Sequence, residues 1–303
     1  MLLRMASASV LASSIMASHS LRASTTIFPI YDWVREVLGD VDADVEVLLN
    51  NGVDLHSYQP TVDDIAKINN ADVFMYVGGE SDGWVESVLE SNKNVRVVNL
   101  LEVLGDSVKL EEELEGVEHD YEHDHEDEEE YDEHVWLSLR NAKKCVEAIK
   151  DVLCELDSSN ADRYEKNAEE YIEKLELLDQ KYMEVVSNSK NNTLIFGDRF
   201  PFRYLVDDYN LNYYAAFVGC SSESEASFNT ITFLANKLDE LGLTSILTIE
   251  GNNHKIAETI IKNTENKNQE ILTLNSMQGG ILEGDTYLSI MEANLEVLKK
   301  ALN

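Results

Sequence analysis

VEVLLNNGVDLHSYQPTVDDIAKINNADVFMYVGG, residues 45–79, decides the fold. VEVLLN (45–50) reads as a buried strand, and it runs into the loop NGVDLHSYQPT. TVDDIAKINNA (61–71) starts like a capped helix: Thr61 precedes Asp63 and Asp64, which suit the positive end of a helix. DVFMYVGG (72–79) is a second apolar strand, ended by glycines. Strand, loop, helix and strand at this spacing form a βαβ unit and imply a parallel sheet.

The pattern extends in both directions. Upstream, LRASTTIFPI (21–30) reads as a strand ending at Pro29, and IYDWVREVLGD as a helix stopped by Gly39. Downstream, GWVESVLES is a helix and NVRVVNL (94–100) a strand. Residues 111–133 break the alternation with fifteen Asp or Glu plus His119, His123 and His125. Such a stretch cannot build a core and reads as an exposed, mobile loop. HVWLSLRNAKKCVEAIKDVLCELD (134–157) is then an amphipathic helix. Residues 158–187 form a second long helix without Pro or Gly, about 45 Å long at 1.5 Å per residue.

After it the alternation restarts. TLIFGD (193–198), NYYAAFV (212–218), SILTIEG (245–251) and QEILTLN (269–275) are strands. Helical stretches separate them, and TYLSIMEANLEVLKKAL closes the chain as a helix. The expected architecture is α/β: two βα lobes with parallel sheets, joined by a long rigid interdomain helix. The lobes are residues 21–157 and 188–303, the linking helix is 158–187, and a ligand cleft lies between the lobes at the strand ends.

Composition narrows the function classes. Lys plus Arg number 24 against 58 Asp plus Glu, a formal charge of −34. Such a surface repels phosphate backbones and suits a protein that meets cations, so no nucleic-acid partner is expected. Residues 1–20 carry one Arg and a weakly apolar Ala/Ser-rich stretch, a candidate signal peptide with no following Cys to carry a lipid. No run of about 18 apolar residues is present, so no ordinary membrane span is expected. The three cysteines, Cys145, Cys154 and Cys220, do not suggest a disulfide framework. No G-x-S-x-G, H-E-x-x-H, P-loop or G-x-G-x-x-G motif points to catalysis.

His56 and His134 are the first candidates for chemistry. One lies in a loop just after a strand and the other opens a helix after the acidic run. Each could equally be a solvated side chain. Imidazole is the commonest metal ligand, but spacing alone does not bring the two together.

Their contexts add to this. GVDLHSYQPTVDDIAKINNADVFMYVGG resembles the first-ligand segment of the metal-specific substrate-binding proteins of ABC transporters, the ZnuA-like or cluster A-I family. TTIFPIYDWVREVLGD is similar to that family's first strand and helix, and EHVWLSLRNAKK to its second ligand segment. The acidic insertion lies where zinc-type members carry a His/Asp/Glu-rich loop, and the 158–187 helix resembles the family's rigid linker. The resemblance runs from about residue 21 to the end.

It implies that His56 and His134 are the first two ligands. The third position is occupied by Arg199 in GDRFPFRYL, and a guanidinium has no lone pair to offer. Asp198 could supply an oxygen instead, or could stabilise a helix start. Arg199 could pair with an acid or hold the lobes together. Asp285, in GDTYLSIMEANLEVL, falls at the fourth position, where the alternative is a helix N-cap. Cys220 is a further soft-ligand candidate or a buried thiol, and Glu225 a similarly placed acid.

The implied function is an extracytoplasmic, non-enzymatic binding protein that captures zinc, or alternatively manganese, for an ABC permease and its ATPase. It would be a monomer, periplasmic or extracellular, held at the membrane through the permease. The competing readings are a surface metal-binding adhesin or buffer, and a metal-dependent hydrolase with Glu223 or Glu225 as base.

Overall fold

The computed structural model describes residues 20–49, 53–92, 94–112, 114–117, 130–219, 225–251, 253–279 and 283–303. The signal-like residues 1–19, the loop residues His119, His123 and His125, and Cys220 and Glu223 lie outside them.

The first sheet is built from β1 (Leu21–Thr25), β2 (Ala43–Val47), β3 (Val73–Tyr76) and β4 (Arg96–Asn99). The second is built from β5 (Thr193–Phe196), β6 (Asn212–Ala215), β7 (Ser245–Ile249) and β8 (Glu270–Leu274). Both are wholly parallel, with orders β2-β1-β3-β4 and β6-β5-β7-β8, so the two lobes share one wiring. The central strands β5 and β7 are buried at every position. A parallel sheet covered on both faces requires this, and it explains the unbroken apolar runs TLIF and SILTI.

The first lobe carries α1 (Phe28–Leu38), α2 (Val62–Asn70), α3 (Val85–Ser91), α4 (Leu100–Leu104) and α5 (Leu139–Leu156). The connecting helix is α6 (Ala161–Ser187). The second lobe carries α7 (Arg203–Asp208), α8 (Phe228–Glu240), α9 (Lys255–Lys262) and α10 (Tyr287–Ala301). The expected α2 is present with its cap: Thr61 and Asp64 close a reciprocal capping box.

Three boundaries differ from the sequence reading. β1 stops at Thr25, and Pro29 lies in the first turn of α1, where its missing N–H has no partner to lose. The helix expected from His134 begins only at Leu139, because Ser138 caps it by accepting from the Asn141 N–H. Val135–Leu137 ahead of it form a single 3₁₀ turn. Finally, the acidic run is not wholly a solvated loop. Leu110 and Tyr131 form an antiparallel bridge, and Asp132 and Glu133 are only 2% and 5% exposed.

The helix α6 has 27 residues and spans about 40 Å. Its buried stripe, Tyr164, Ala168, Tyr171, Leu175, Leu178 and Tyr182, follows helical spacing and packs against α1, α5 and α10. One apolar core runs through both lobes, while a smaller cluster around Leu234, Leu238, Ile246 and Ile260 belongs to the second lobe alone. Tyr287 of α10 is the pin of the seam. Its hydroxyl donates to the Trp136 carbonyl at 2.6 Å and its N–H to Asp32 Oδ2 at 2.8 Å. Its ring meets Trp33 edge-on at 5.1 Å. Burial pushes the Asp32 carboxyl up to about 6. Among the described residues no helix is long and apolar enough to cross a membrane.

Candidate metal centre

Three loops meet at the carboxyl ends of the first sheet. The loop after β2 makes a one-turn 3₁₀ helix, Leu55–Ser57, anchored by buried Leu55. Asp54 shapes it by accepting the His56 N–H at 3.0 Å. The loop after β3 is held by Asp82, whose Oδ2 accepts the Gly78 N–H at 2.9 Å. Burial, with Glu133 nearby, pushes the Asp82 carboxyl up to about 6. The third loop, Asp132–His134, closes the acidic run.

These loops place His56 Nε2 3.2 Å from His134 Nε2. Two nitrogens bound at roughly 2.0–2.1 Å to one tetrahedral ion stand about 3.3 Å apart, so the spacing fits one shared zinc. Both rings are braced from behind. Asp132 Oδ1 accepts from His134 Nδ1 at 2.8 Å and from the His134 backbone N–H at 2.9 Å. That carboxylate is itself 2% exposed. It fixes the proton on Nδ1 and leaves the Nε2 lone pair aimed at His56. His56 Nδ1 is 2.8 Å from Ser81 Oγ and 3.6 Å from Glu133 Oε2. His56 Nε2–H can donate to His134 Nε2. An ion arriving there displaces that proton, as ligation by neutral imidazole requires.

Glu133 also ties the loops together by accepting the Ser81 N–H at 2.9 Å. Gly79 makes this approach possible: its φ is +84°, and a Cβ there would fall 2.3 Å from Glu133 Oε1.

The second lobe contributes differently. Arg199 Nη1 donates to Asp54 Oδ2 at 3.2 Å, which links the lobes directly beside the His56 turn. Of the alternatives the sequence left open for Arg199, this is the interlobe tie. Asp198 is 5% exposed, and its two oxygens accept the Arg199 and Ile249 N–H groups at 2.8 and 3.0 Å. It therefore braces the ends of β5 and β7. Asp285 is half-buried just ahead of α10. It is not the cap of that helix: Thr286 fills that role, in a capping box with Ser289. The structure thus brings His56 and His134 together, and places Asp198 at the end of β5 and Asp285 just ahead of α10. Among the described residues no three His, Cys, Asp or Glu side chains are grouped to hold an ion.

Sequence reasoning missed Asp54, Ser81, Asp132 and Glu133. The only local signal was that Asp132 and Glu133 immediately precede His134, and the surrounding acids hid it.

Comparison with known proteins gives the family. Residues 24–301 match the profile of the family described as zinc-uptake complex component A, periplasmic. The chain is 33% identical over 287 residues to the zinc-binding lipoprotein AdcA of Streptococcus pneumoniae serotype 4, covering 94% of this chain and 56% of that protein. It therefore spans about half the length of that relative. It is 32% identical to the high-affinity zinc uptake system protein ZnuA of Bacillus subtilis, covering 93% of this chain and 88% of that one. The crystal structure of a Zn(II)-bound AdcAII variant of S. pneumoniae superposes with a TM-score of 0.77 at 30% identity, over 94% of this chain and 99% of that one. That family is one of binding components for zinc uptake and not of enzymes. The chain belongs to the ZnuA family of periplasmic zinc-uptake components.

Proposed function

We propose that this protein captures a zinc ion as cargo between its lobes and delivers it to an ABC permease powered by its ATPase. The observation that carries the reading is the facing Nε2 pair of His56 and His134, 3.2 Å apart. Two braced imidazoles favour zinc, whereas manganese prefers a set richer in oxygen. The remaining ligands would be oxygens of the second lobe, Asp285 and Asp198. Asp198 can contribute only through lone pairs not already used by the Arg199 and Ile249 amides. Because these carboxylates belong to the other lobe, binding would draw the lobes together and stabilise the docked form that the permease reads. The shared core and α6 restrict that movement to a small one. The protein would act as a monomer outside the cytoplasmic membrane.

The test is zinc and manganese binding in competition, by the whole chain and by a chain lacking residues 118–129. This deletion leaves Asp132 and Glu133 in place. One tight zinc per chain, retained after the deletion, supports the reading. Tight manganese in preference to zinc, or binding lost with the loop, contradicts it.

A further inference from the structure

The segment that carries His134 belongs to the first lobe by sequence, yet the second lobe holds it on both sides of the ring. Ahead of His134, the Tyr204 hydroxyl of α7 donates to the Asp132 carbonyl at 2.7 Å. Behind it, Trp136 Nε1 donates to the Ser276 carbonyl at 2.9 Å, and Ser138 Oγ to Asp208 Oδ2 at 2.6 Å. The tie through Tyr204 lies next to the metal pair, because Asp132 is the brace of His134.

The backbone at this point is a short antiparallel ladder. The Glu111 N–H donates to the Glu130 carbonyl and the Asp132 N–H to the Lys109 carbonyl, both at 2.9 Å, with Leu110 opposite Tyr131. In such a ladder Lys109 and Asp132 would exchange a second bond, from the Lys109 N–H to the Asp132 carbonyl. Here that rung runs through Tyr204: its hydroxyl accepts the Lys109 N–H at 3.0 Å and donates to the Asp132 carbonyl. A side chain of the second lobe is thus wedged into the ladder two residues before His134. Tyr204 is buried in the core that both lobes share, so close packing fixes the wedge.

We infer that Tyr204 is a positioning residue of the metal centre: its hydroxyl holds the ladder open and so sets Asp132, and through Asp132 the His134 ring, for the ion. The inference rests on the zinc-capture reading. It gives the second lobe a hold on the imidazole pair that is separate from any ligand it supplies. Without the hydroxyl, the Lys109 N–H and the Asp132 carbonyl can close to a direct bond of about 2.9 Å. Closure would draw Asp132 toward Lys109 and shift the carboxylate behind Nδ1. Partners in that place orient a ligating ring and raise its basicity.

The experiment measures zinc affinity of the full-length protein by competition with a chelator, alongside urea unfolding without metal. The variant is Y204F, which keeps the ring and removes only the hydroxyl. The control is Y213F, which removes a second-lobe hydroxyl that donates to Glu112 Oε2 at 3.0 Å, next to the same ladder. The two are compared with D132A and with D132A/Y204F. Y204F should weaken zinc roughly threefold to tenfold, less than the 10–100-fold expected when a direct partner of a ligand is lost, and Y213F by less than about twofold. In D132A the path to His134 is already cut, so adding Y204F should weaken zinc no further. A Y204F affinity within about twofold of wild type, whatever its stability, overturns the inference and leaves zinc capture standing. Equal weakening in Y213F, or a Y204F effect that adds in full to that of D132A, does the same. A wild-type chain without a tight zinc overturns both.

Discussion

The two lobes have the same strand order and put different chemistry at the same end of the sheet. In the first lobe, the loops after β2 and β3 and the turn before α5 supply two histidines with their hydrogen-bonded supports. In the second, the loop after β5 supplies a cation and a carboxylate committed to structure. Arg199 reaches Asp54, and Asp198 holds two backbone amides. One topology therefore carries the proposed imidazole ligands on one half, and an interlobe clamp beside the proposed oxygen ligands on the other. The difference lies in a few loop residues, as expected when function is grafted on a fold.

The sharpest way to break this comparison is to remove an imidazole. His134→Ala takes away a ligand and leaves Asp132 buried without its partner. A four-ligand zinc site worth about 10–16 kcal/mol implies a loss of roughly a hundred- to a thousandfold in zinc affinity. Calorimetry with a competing chelator reads it. An affinity within threefold of wild type would move the site away from the first lobe.

The seam between the lobes gives the next effect. Burial pushes the Asp32 carboxyl up to about 6, above its ordinary value, and the Tyr287 N–H it accepts offsets only part of that rise. A raised carboxyl pKa means that the folded state prefers the protonated form. The penalty is absent below about pH 4, grows as pH rises through about 6, and reaches at most about 3 kcal/mol. Asp32→Asn should flatten this component of the stability profile measured by urea unfolding from pH 4 to 7. An unchanged slope would refute it.

Asp132→Asn is expected to be milder than loss of the ring itself. It keeps the volume of the support and removes the charge that orients His134. Loss of such an outer partner weakens metal sites by about 10–100-fold. Thermal stability measured without metal separates a fold defect from a ligand defect.

The smallest effect should be at the clamp. Arg199 and Asp54 are each about one-third exposed, so Arg199→Ala should cost no more than about 1 kcal/mol in stability. Zinc affinity should change less than in either first-lobe variant. A larger loss of zinc than for Asp132→Asn would make the clamp part of the metal site.

Much of this was legible in the sequence. Buried parallel strands announce themselves as short apolar runs, and α2 announced its start through Thr61 and Asp64. His56 and His134 could be singled out as candidates, but not shown to meet. Their meeting depends on loops from three parts of the chain, 78 residues apart at the rings themselves. Asp132 and Glu133 were hidden for a related reason. In a run of fifteen acids nothing local marks the two that fold inward beneath an imidazole. Arg199 could be excluded as a ligand from its chemistry, whereas its partner Asp54 lies 145 residues away. Pro29 was misplaced because the first turn of a helix tolerates proline as readily as a strand end does.

The most direct measurement is an X-ray structure of the zinc-loaded protein, with the ion located by its anomalous signal. The account predicts one strong peak between His56 and His134, at about 2.0–2.1 Å from both Nε2 atoms. A fully occupied peak elsewhere, with the two rings still facing each other across an empty gap, would contradict it.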